Sequence, residues 1–172
     1  RALIPHALKA GINYVDTAPF YGFGRSEHLV GDAIRPKRDD LVLSTKTGRL
    51  LKPHFGPYDP PTSWQDPYPF IDKFDYSYDG IMRSYEQSLQ RLALDRLDAL
   101  VIHDLDSLFH EGEAFAHHQK VLASSGIKAL EQLKRSGDII AYGMGINTTR
   151  AMETVGTLVD LDFTLVAMPY TL

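Results

Sequence analysis

Apolar residues follow two alternating patterns along the chain, short continuous runs and positions three or four residues apart. The short runs predict five β-strands, at residues 12–16, 41–46, 97–103, 139–146 and 163–170. The wider spacing predicts helices between the strands, the longest from about Tyr78 to Leu92. Gly11 is predicted to follow the end of the first helix, and Ser26 to be the N-cap of a helix that closes before Pro36.

No hairpin signal interrupts this alternation, which is therefore typical of a parallel sheet. Such a sheet is either doubly wound or a (β/α)8 barrel. No strand is followed by the G-x-G-x-x-G fingerprint that would favour the doubly wound dinucleotide fold. A closed barrel needs eight units and about 250 residues. We therefore expect residues 1–172 to be one partial domain of a (β/α)8 TIM barrel, a fragment that is inactive on its own.

Two long connections separate the predicted strands. Residues 47–77 hold six of the ten prolines and seven of the 18 aromatic residues, a composition that favours packing over disorder. Within this segment, Trp64 could line a substrate pocket or pack within its loop. Residues 104–125 form the second connection. Its histidines, His110, His117 and His118, are interpreted as solvated loop residues rather than metal ligands, because no cysteine or ordered acidic partner accompanies them.

Composition narrows the classes of function. The chain has no cysteine, which excludes disulfides, thiolate zinc sites and cysteine nucleophiles. Its formal net charge of −4 argues against a generic nucleic-acid role. No apolar run reaches the roughly 18–20 residues of a membrane span, and the first residues do not form a signal peptide. We expect a cytoplasmic protein whose partner is a small-molecule substrate, with no nucleic-acid or membrane partner.

Polar residues end three predicted strands: Asp16, Lys46 and His103, with Tyr21 five residues beyond the first. Because the carboxyl ends of parallel barrel strands meet at one rim, we expect these residues to converge there. This set favours proton transfer by a phenol whose pKa a nearby ammonium lowers. The carboxylate would orient the ammonium, and His103 would bond a substrate oxygen. Singly, Asp16 could cap a turn and Lys46 could form a structural ion pair; together they favour catalysis.

Residues 11–22, 44–46 and 101–104 resemble the aldo-keto reductases. The resemblance implies that Asp16, Tyr21, Lys46 and His103 are the catalytic tetrad of a (β/α)8 barrel. It implies a hydride transfer between NADP or NAD and a carbonyl or hemiacetal carbon. It also implies that residues 1–172 cover about strands 2 to 6, and that the adenosine and pyrophosphate site lies mainly outside them.

Residues 48–51 and 74–84 are similar to one branch of the family, the D-threo-aldose (L-fucose) 1-dehydrogenases and pyridoxal 4-dehydrogenases. This branch implies oxidation of an aldose or of pyridoxal hemiacetal to a lactone. An aldehyde or ketone reductase running the reverse reaction is one alternative, and a non-catalytic nicotinamide-binding regulatory subunit is another. Asp16 and Asn147 correspond to cofactor-binding positions, and Asn147 would contact the nicotinamide carboxamide. An N-cap role for Asn147 before the next helix is the alternative.

Overall fold

The computed structural model of the chain describes residues 3–59 and 64–167. The helices are α1 (Leu3–Lys9), α2 (Arg25–Ile34), α3 (Tyr78–Leu92), α4 (Glu113–Val121), α5 (Ile127–Ser136) and α6 (Thr149–Gly156). The strands are β1 (Tyr14–Asp16), β2 (Val42–Thr47), β3 (Arg49–Pro53), β4 (Phe70–Phe74), β5 (Ala99–His103), β6 (Ala141–Ile146) and β7 (Phe163–Val166). Over these two ranges, no helix is both long enough and apolar enough to cross a membrane.

Five of the strands form a curled parallel sheet in the order β1-β2-β5-β6-β7, which confirms the predicted partial (β/α)8 barrel. The register pairs Asp16 with Ser44 and Lys46 with Val101. Because all five strands run in the same direction, their carboxyl ends form one rim, and the polar residues at those ends share it.

The core lies between this sheet and the helices that cover it. All five residues of β5 are buried, as expected for a parallel strand covered on both faces. Leu100 and Ile102 of β5 are fully buried in one cluster with Leu130 and Leu133 of α5. The predicted helix from Tyr78 to Leu92 is found with those bounds as α3, and the Ser77 hydroxyl caps it by accepting from the Gly80 N–H.

The absence of a hairpin was predicted wrongly. Strands β3 and β4 pair antiparallel within the long connection 47–77, with Arg49 opposite Phe74. The segment between them, residues 54–69, is far longer than the two-residue turns by which a hairpin is identified in a sequence. Gly48 lets the chain turn from β2 into β3, because its φ of 95° is costly for other residues and a Cβ there would lie 2.5 Å from the Tyr76 ring.

Two further details differ from the sequence prediction. The connection 104–125 contains α4, which continues through a π-helical turn (Leu122–Gly126) directly into α5. The N-cap of α2 is Gly24 rather than Ser26, whose hydroxyl lies 2.8 Å from that of Thr17. Ser26 therefore links α2 to the segment after β1. The predicted end of α2 before Pro36 and the position of Gly11 just beyond α1 agree with the structure.

The contact between α2 and α3 predicts a large difference between two glycine substitutions. A Cβ on Gly31 would lie 2.0 Å from the backbone oxygen of Leu92, whereas a Cβ on Gly156 in α6 would meet nothing within 4 Å. In the full-length protein, Gly31→Ala is expected to lower the free energy of unfolding by roughly 1–3 kcal/mol. Gly156→Ala, the matched control, is expected to raise it by up to about 1 kcal/mol. Urea unfolding followed by circular dichroism measures both, and equal midpoints for the two variants would contradict the prediction.

Candidate active site

Four of the predicted site residues line one cavity at the carboxyl end of the sheet. Asp16 is the last residue of β1, Lys46 is the next to last of β2, and His103 is the last of β5. Tyr21 lies in a turn after β1. Its own backbone N–H donates to the Ala18 carbonyl at 3.2 Å. The structure brings these four side chains together around a volume of about 270 Å³.

A partly buried ion pair joins the first two strands at this cavity. The Lys46 ammonium donates to Asp16 Oδ2 and, at 3.3 Å, to the Thr17 carbonyl. The Ser44 hydroxyl donates to the other oxygen of Asp16. Burial lowers the pKa of Lys46, while the Asp16 carboxylate opposes that change. Asp16 therefore holds the ammonium in one position at the rim.

Tyr21 lies beside both Lys46 and His103. Lys46 Nζ is 5.9 Å from the centroid of the Tyr21 ring, and the His103 ring centroid is also 5.9 Å from it. The expectation of a lowered phenol pKa is not met. Burial raises the pKa of Tyr21, and the carboxylates of Asp16 and Asp104 raise it further. The cation that lowers it is Arg49, because the charge of Lys46 faces Asp16 directly.

His103 is buried beside the carboxylate that follows it in sequence. Its Nε2 lies 3.4 Å from Asp104 Oδ2, and its carbonyl accepts from the Tyr76 hydroxyl at 2.7 Å. Burial, with the charges of Arg49 and Lys46, lowers the pKa of His103 well below its ordinary value. The imidazole is therefore neutral at physiological pH and can donate only one hydrogen bond.

Asn147 directly follows β6 and also lines the cavity. Its alternative role as an N-cap is wrong, because Thr148 caps α6 by accepting from the Ala151 N–H at 3.2 Å. The Asn147 amide donates through Nδ2 to Asp104 Oδ1 at 3.2 Å. This bond leaves the Asn147 carbonyl oxygen to accept from a ligand N–H, which fits a carboxamide such as that of nicotinamide.

Trp64 lies on the other side of Tyr21, in a neighbouring cavity of about 520 Å³. Its ring centroid is 5.5 Å from that of Tyr21 and 6.1 Å from that of Phe20. Arg25 fixes the adjoining segment by donating to the backbone carbonyls of Gln65 and Asp66. Trp64 thus lines the second cavity, next to Tyr21, and does not line the first. Its contact with a substrate stays a prediction.

The sequence analysis did not identify Arg49 and Asp104 as site residues. The Arg49 guanidinium stacks 3.9 Å from the Phe20 ring centroid and 4.4 Å from that of Phe74. Its nitrogens lie 3.4 Å from carboxylate oxygens of Asp72 and Asp104. The sequence carries only a weak signal for these two residues. Arg49 comes just after β2 and Asp104 just after His103, and both lie in segments that resemble the family.

His110, in the second connection, differs from the expectation of a solvated side chain. His110 is only 4% exposed, and its ring centroid lies 4.2 Å from that of Phe74. Its Nε2 is 3.0 Å from the Tyr76 hydroxyl, and burial lowers the pKa of His110 to about 4. His117 is exposed, as predicted. Within the described part of the chain, no three His, Asp or Glu side chains are grouped to hold a metal ion.

Comparison with known proteins gives concordant matches. The model of the aldo/keto reductase family matches residues 1–172. Pyridoxal 4-dehydrogenase from Microbacterium luteolum is 38% identical over 180 residues, covering 99% of this chain and 53% of that protein. D-threo-aldose 1-dehydrogenase from Pseudomonas sp. is 35% identical over 176 residues, covering 99% and 51%. The structure of a glycerol dehydrogenase from Gluconobacter oxydans superposes with a TM-score of 0.67 at 28% identity, covering 95% and 43%. The chain spans about half the length of the curated relatives it matches.

Proposed function

Because the chain belongs to the aldo/keto reductase family, we propose that it carries the proton-transfer site of an NAD(P)-dependent dehydrogenase for an aldose or for pyridoxal. The observation that carries the proposal is the convergence of Asp16, Tyr21, Lys46 and His103 on one cavity. The substrate class follows the two relatives above, whose names specify pyridoxal and D-threo-aldose. The products would be lactones, formed from the cyclic hemiacetals.

In the oxidative direction, the Tyr21 phenolate takes the proton of the hemiacetal hydroxyl. The C–H bond at the same carbon breaks with its electron pair, and the carbon–oxygen double bond of the lactone forms. NAD or NADP, when bound, supplies the acceptor for that hydride. Tyr21 is suited to this step because a phenol hydroxyl can carry the proton and its ring lies beside both His103 and Lys46.

The other residues of the cavity hold the reacting oxygen and the phenol in place. Neutral His103 donates to the substrate oxygen, on which negative charge develops as the proton leaves. Lys46 places its ammonium beside the Tyr21 ring, where it neutralises Asp16, and Asp16 in turn fixes the ammonium. Asn147 would accept from the carboxamide N–H of the nicotinamide through its free carbonyl oxygen.

One observation favours a second candidate function, the reverse reaction of an aldehyde or ketone reductase. Reduction requires Tyr21 in its protonated form, because the phenol then gives its proton to the new alkoxide. Burial and two carboxylates raise the pKa of Tyr21, so the protonated form dominates at neutral pH. The same site would therefore reduce carbonyl compounds near neutrality and oxidise hemiacetals at alkaline pH.

The test uses the full-length protein with pyridoxal, L-fucose and D-arabinose, each with NAD and with NADP. We expect nicotinamide reduction on at least one substrate, with a rate that rises from about pH 7 to 10, toward the free phenol value. The absorbance of the reduced nicotinamide at successive pH values gives the profile. Absence of turnover on all three substrates in both directions would remove the assignment, whereas carbonyl reduction alone would support the second candidate.

A further inference from the structure

Asp104 contacts three functional groups at the edge of the cavity. One of its oxygens, Oδ2, lies 3.4 Å from His103 Nε2 and 3.4 Å from Arg49 Nη1. The other, Oδ1, accepts from the Asn147 amide at 3.2 Å. Its backbone adopts the left-handed conformation with a φ of 51°, which is uncommon for a residue other than glycine. This conformation follows directly on β5, and the Asp104 N–H donates to the Gly145 carbonyl of β6 at 3.1 Å.

Arg49 opposes the protonation of this buried carboxylate. Asp104 is 6% exposed, and burial raises the pKa of its carboxyl above the ordinary value, although Arg49 and the Asn147 bond act in the opposite direction. The guanidinium cannot move away freely, because it is stacked between Phe20 and Phe74. An ionised carboxylate held against a fixed cation is an acceptor of constant position and charge.

A carboxylate in this position determines which nitrogen of His103 carries the proton. A neutral imidazole has one N–H and one bare nitrogen. If Nε2 were bare, its lone pair would lie close to the negative charge of Asp104 Oδ2, 3.4 Å from Nε2, which is repulsive. His103 Nδ1 is buried and has no hydrogen-bond partner among the described residues, so nothing on that side holds a proton. The negative charge of Asp104 near Nε2 therefore favours the Nε2–H form. Because the 3.4 Å contact is electrostatic and not a hydrogen bond, this N–H is left to donate to a substrate oxygen.

The same carboxylate determines the orientation of Asn147. An ionised carboxylate only accepts hydrogen bonds, so the Asn147 side chain must present its NH2 group to Asp104. The carbonyl oxygen of the amide then points away from Asp104. A rotation of the amide by 180° would place two acceptors against each other and is excluded while Asp104 is charged.

We propose that Asp104, neutralised by Arg49, is a positioning residue that fixes the proton of His103 on Nε2 and directs the Asn147 carbonyl oxygen toward the bound nicotinamide. The proposal rests on the proposed function for the identity of the ligands. Its two structural consequences, a tautomer and an amide orientation, exist in the protein without turnover.

The first experiment measures the tautomer in the full-length protein labelled with ¹⁵N-histidine. Long-range ¹H–¹⁵N spectra distinguish Nε2–H from Nδ1–H, and His103→Gln assigns the signal. We expect the Nε2–H form in the wild type, and a mixture or the Nδ1–H form in Asp104→Leu. Asp72→Asn is the matched control, because it removes the other carboxylate beside Arg49 without touching His103. A wild-type His103 in the Nδ1–H form would overturn the proposal.

The second experiment compares two ligands that differ only in the nicotinamide. Affinities of the oxidised dinucleotide and of the matching ADP-ribose or its 2′-phosphate are measured by calorimetry. Asp104→Asn should weaken dinucleotide binding about 3- to 10-fold, the scale of one hydrogen bond, and leave the nicotinamide-free ligand unchanged. Equal loss for both ligands, or no loss for either, would overturn the assigned role of Asp104. An inactive protein that retains the wild-type tautomer and this binding difference would contradict the proposed substrates but not Asp104.

Discussion

Replacing Tyr21 with phenylalanine in the full-length protein is expected to lower kcat by about 10²-fold or more, the usual scale of general acid–base catalysis. The variant removes only the hydroxyl. The ring remains to pack against Trp64 and His103, whose ring centroids lie 5.5 and 5.9 Å from that of Tyr21. Steady-state kinetics in both reaction directions measure the effect. The affinity of the dinucleotide should change little.

The matched control is Tyr78→Phe, which also removes one phenol hydroxyl. The Tyr78 hydroxyl donates to the Gln132 side chain on α5 and is exposed. This variant should retain wild-type turnover. If both variants had wild-type kcat, Tyr21 would be a structural residue and the proton would have to come from another group of the cavity.

Lys46→Met is expected to slow turnover by about 10²-fold and to move the alkaline rise of the oxidation rate upward by roughly one pH unit. The first effect follows because the Asp16 carboxylate beside the phenol loses the ammonium that neutralises it. The second has a definite sign. Oxidation requires deprotonated Tyr21, and Asp16 raises the pKa of Tyr21. Without the ammonium, the charge of Asp16 acts on the phenol unopposed, so the phenolate forms only at higher pH.

The pH profiles of kcat for hemiacetal oxidation and for carbonyl reduction test this coupling. The falling limb of the reduction rate should move upward together with the rising limb of the oxidation rate, because both report the same phenol. Lys128→Met is the control, since Lys128 is an exposed lysine on α5. Unchanged limbs in Lys46→Met would show that the ammonium and the phenol are not coupled.

The raised pKa of Tyr21 alters the balance between the two directions of the reaction. With its pKa raised, the phenol is protonated at neutral pH and is available there as a proton donor rather than as a proton acceptor. Asp16 and Asp104 contribute to this effect, while Arg49 opposes it. The charges that hold Lys46, His103 and Asn147 in place thus also determine the pH at which oxidation becomes possible.

The sequence alone predicted the parallel sheet and the convergence of the four polar residues. Both predictions depend on short-range information. Apolar periodicity distinguishes strands from helices, as for β5 and α3. Once the strands are parallel, their carboxyl ends must share a rim, so Asp16, Lys46 and His103 come together although the chain separates them widely.

Only the tertiary structure identified the pairing of β3 with β4, the helix α4 and the link from Arg49 to His103 through Asp104. The sequence could not show the strand pairing or the link, because both depend on contacts between distant segments. It did not show α4, because that helix has no buried residue and therefore no clear apolar periodicity. The hairpin is closed by a long loop without a two-residue turn signature. Arg49 begins β3 and Asp104 follows β5, so their ion pair joins segments that are far apart in sequence. The direction of the Tyr21 pKa change belongs to the same class. Burial and the carboxylates of Asp16 and Asp104 raise this pKa, and Arg49 lowers it. These groups come from separate segments and surround the phenol only when the chain is folded.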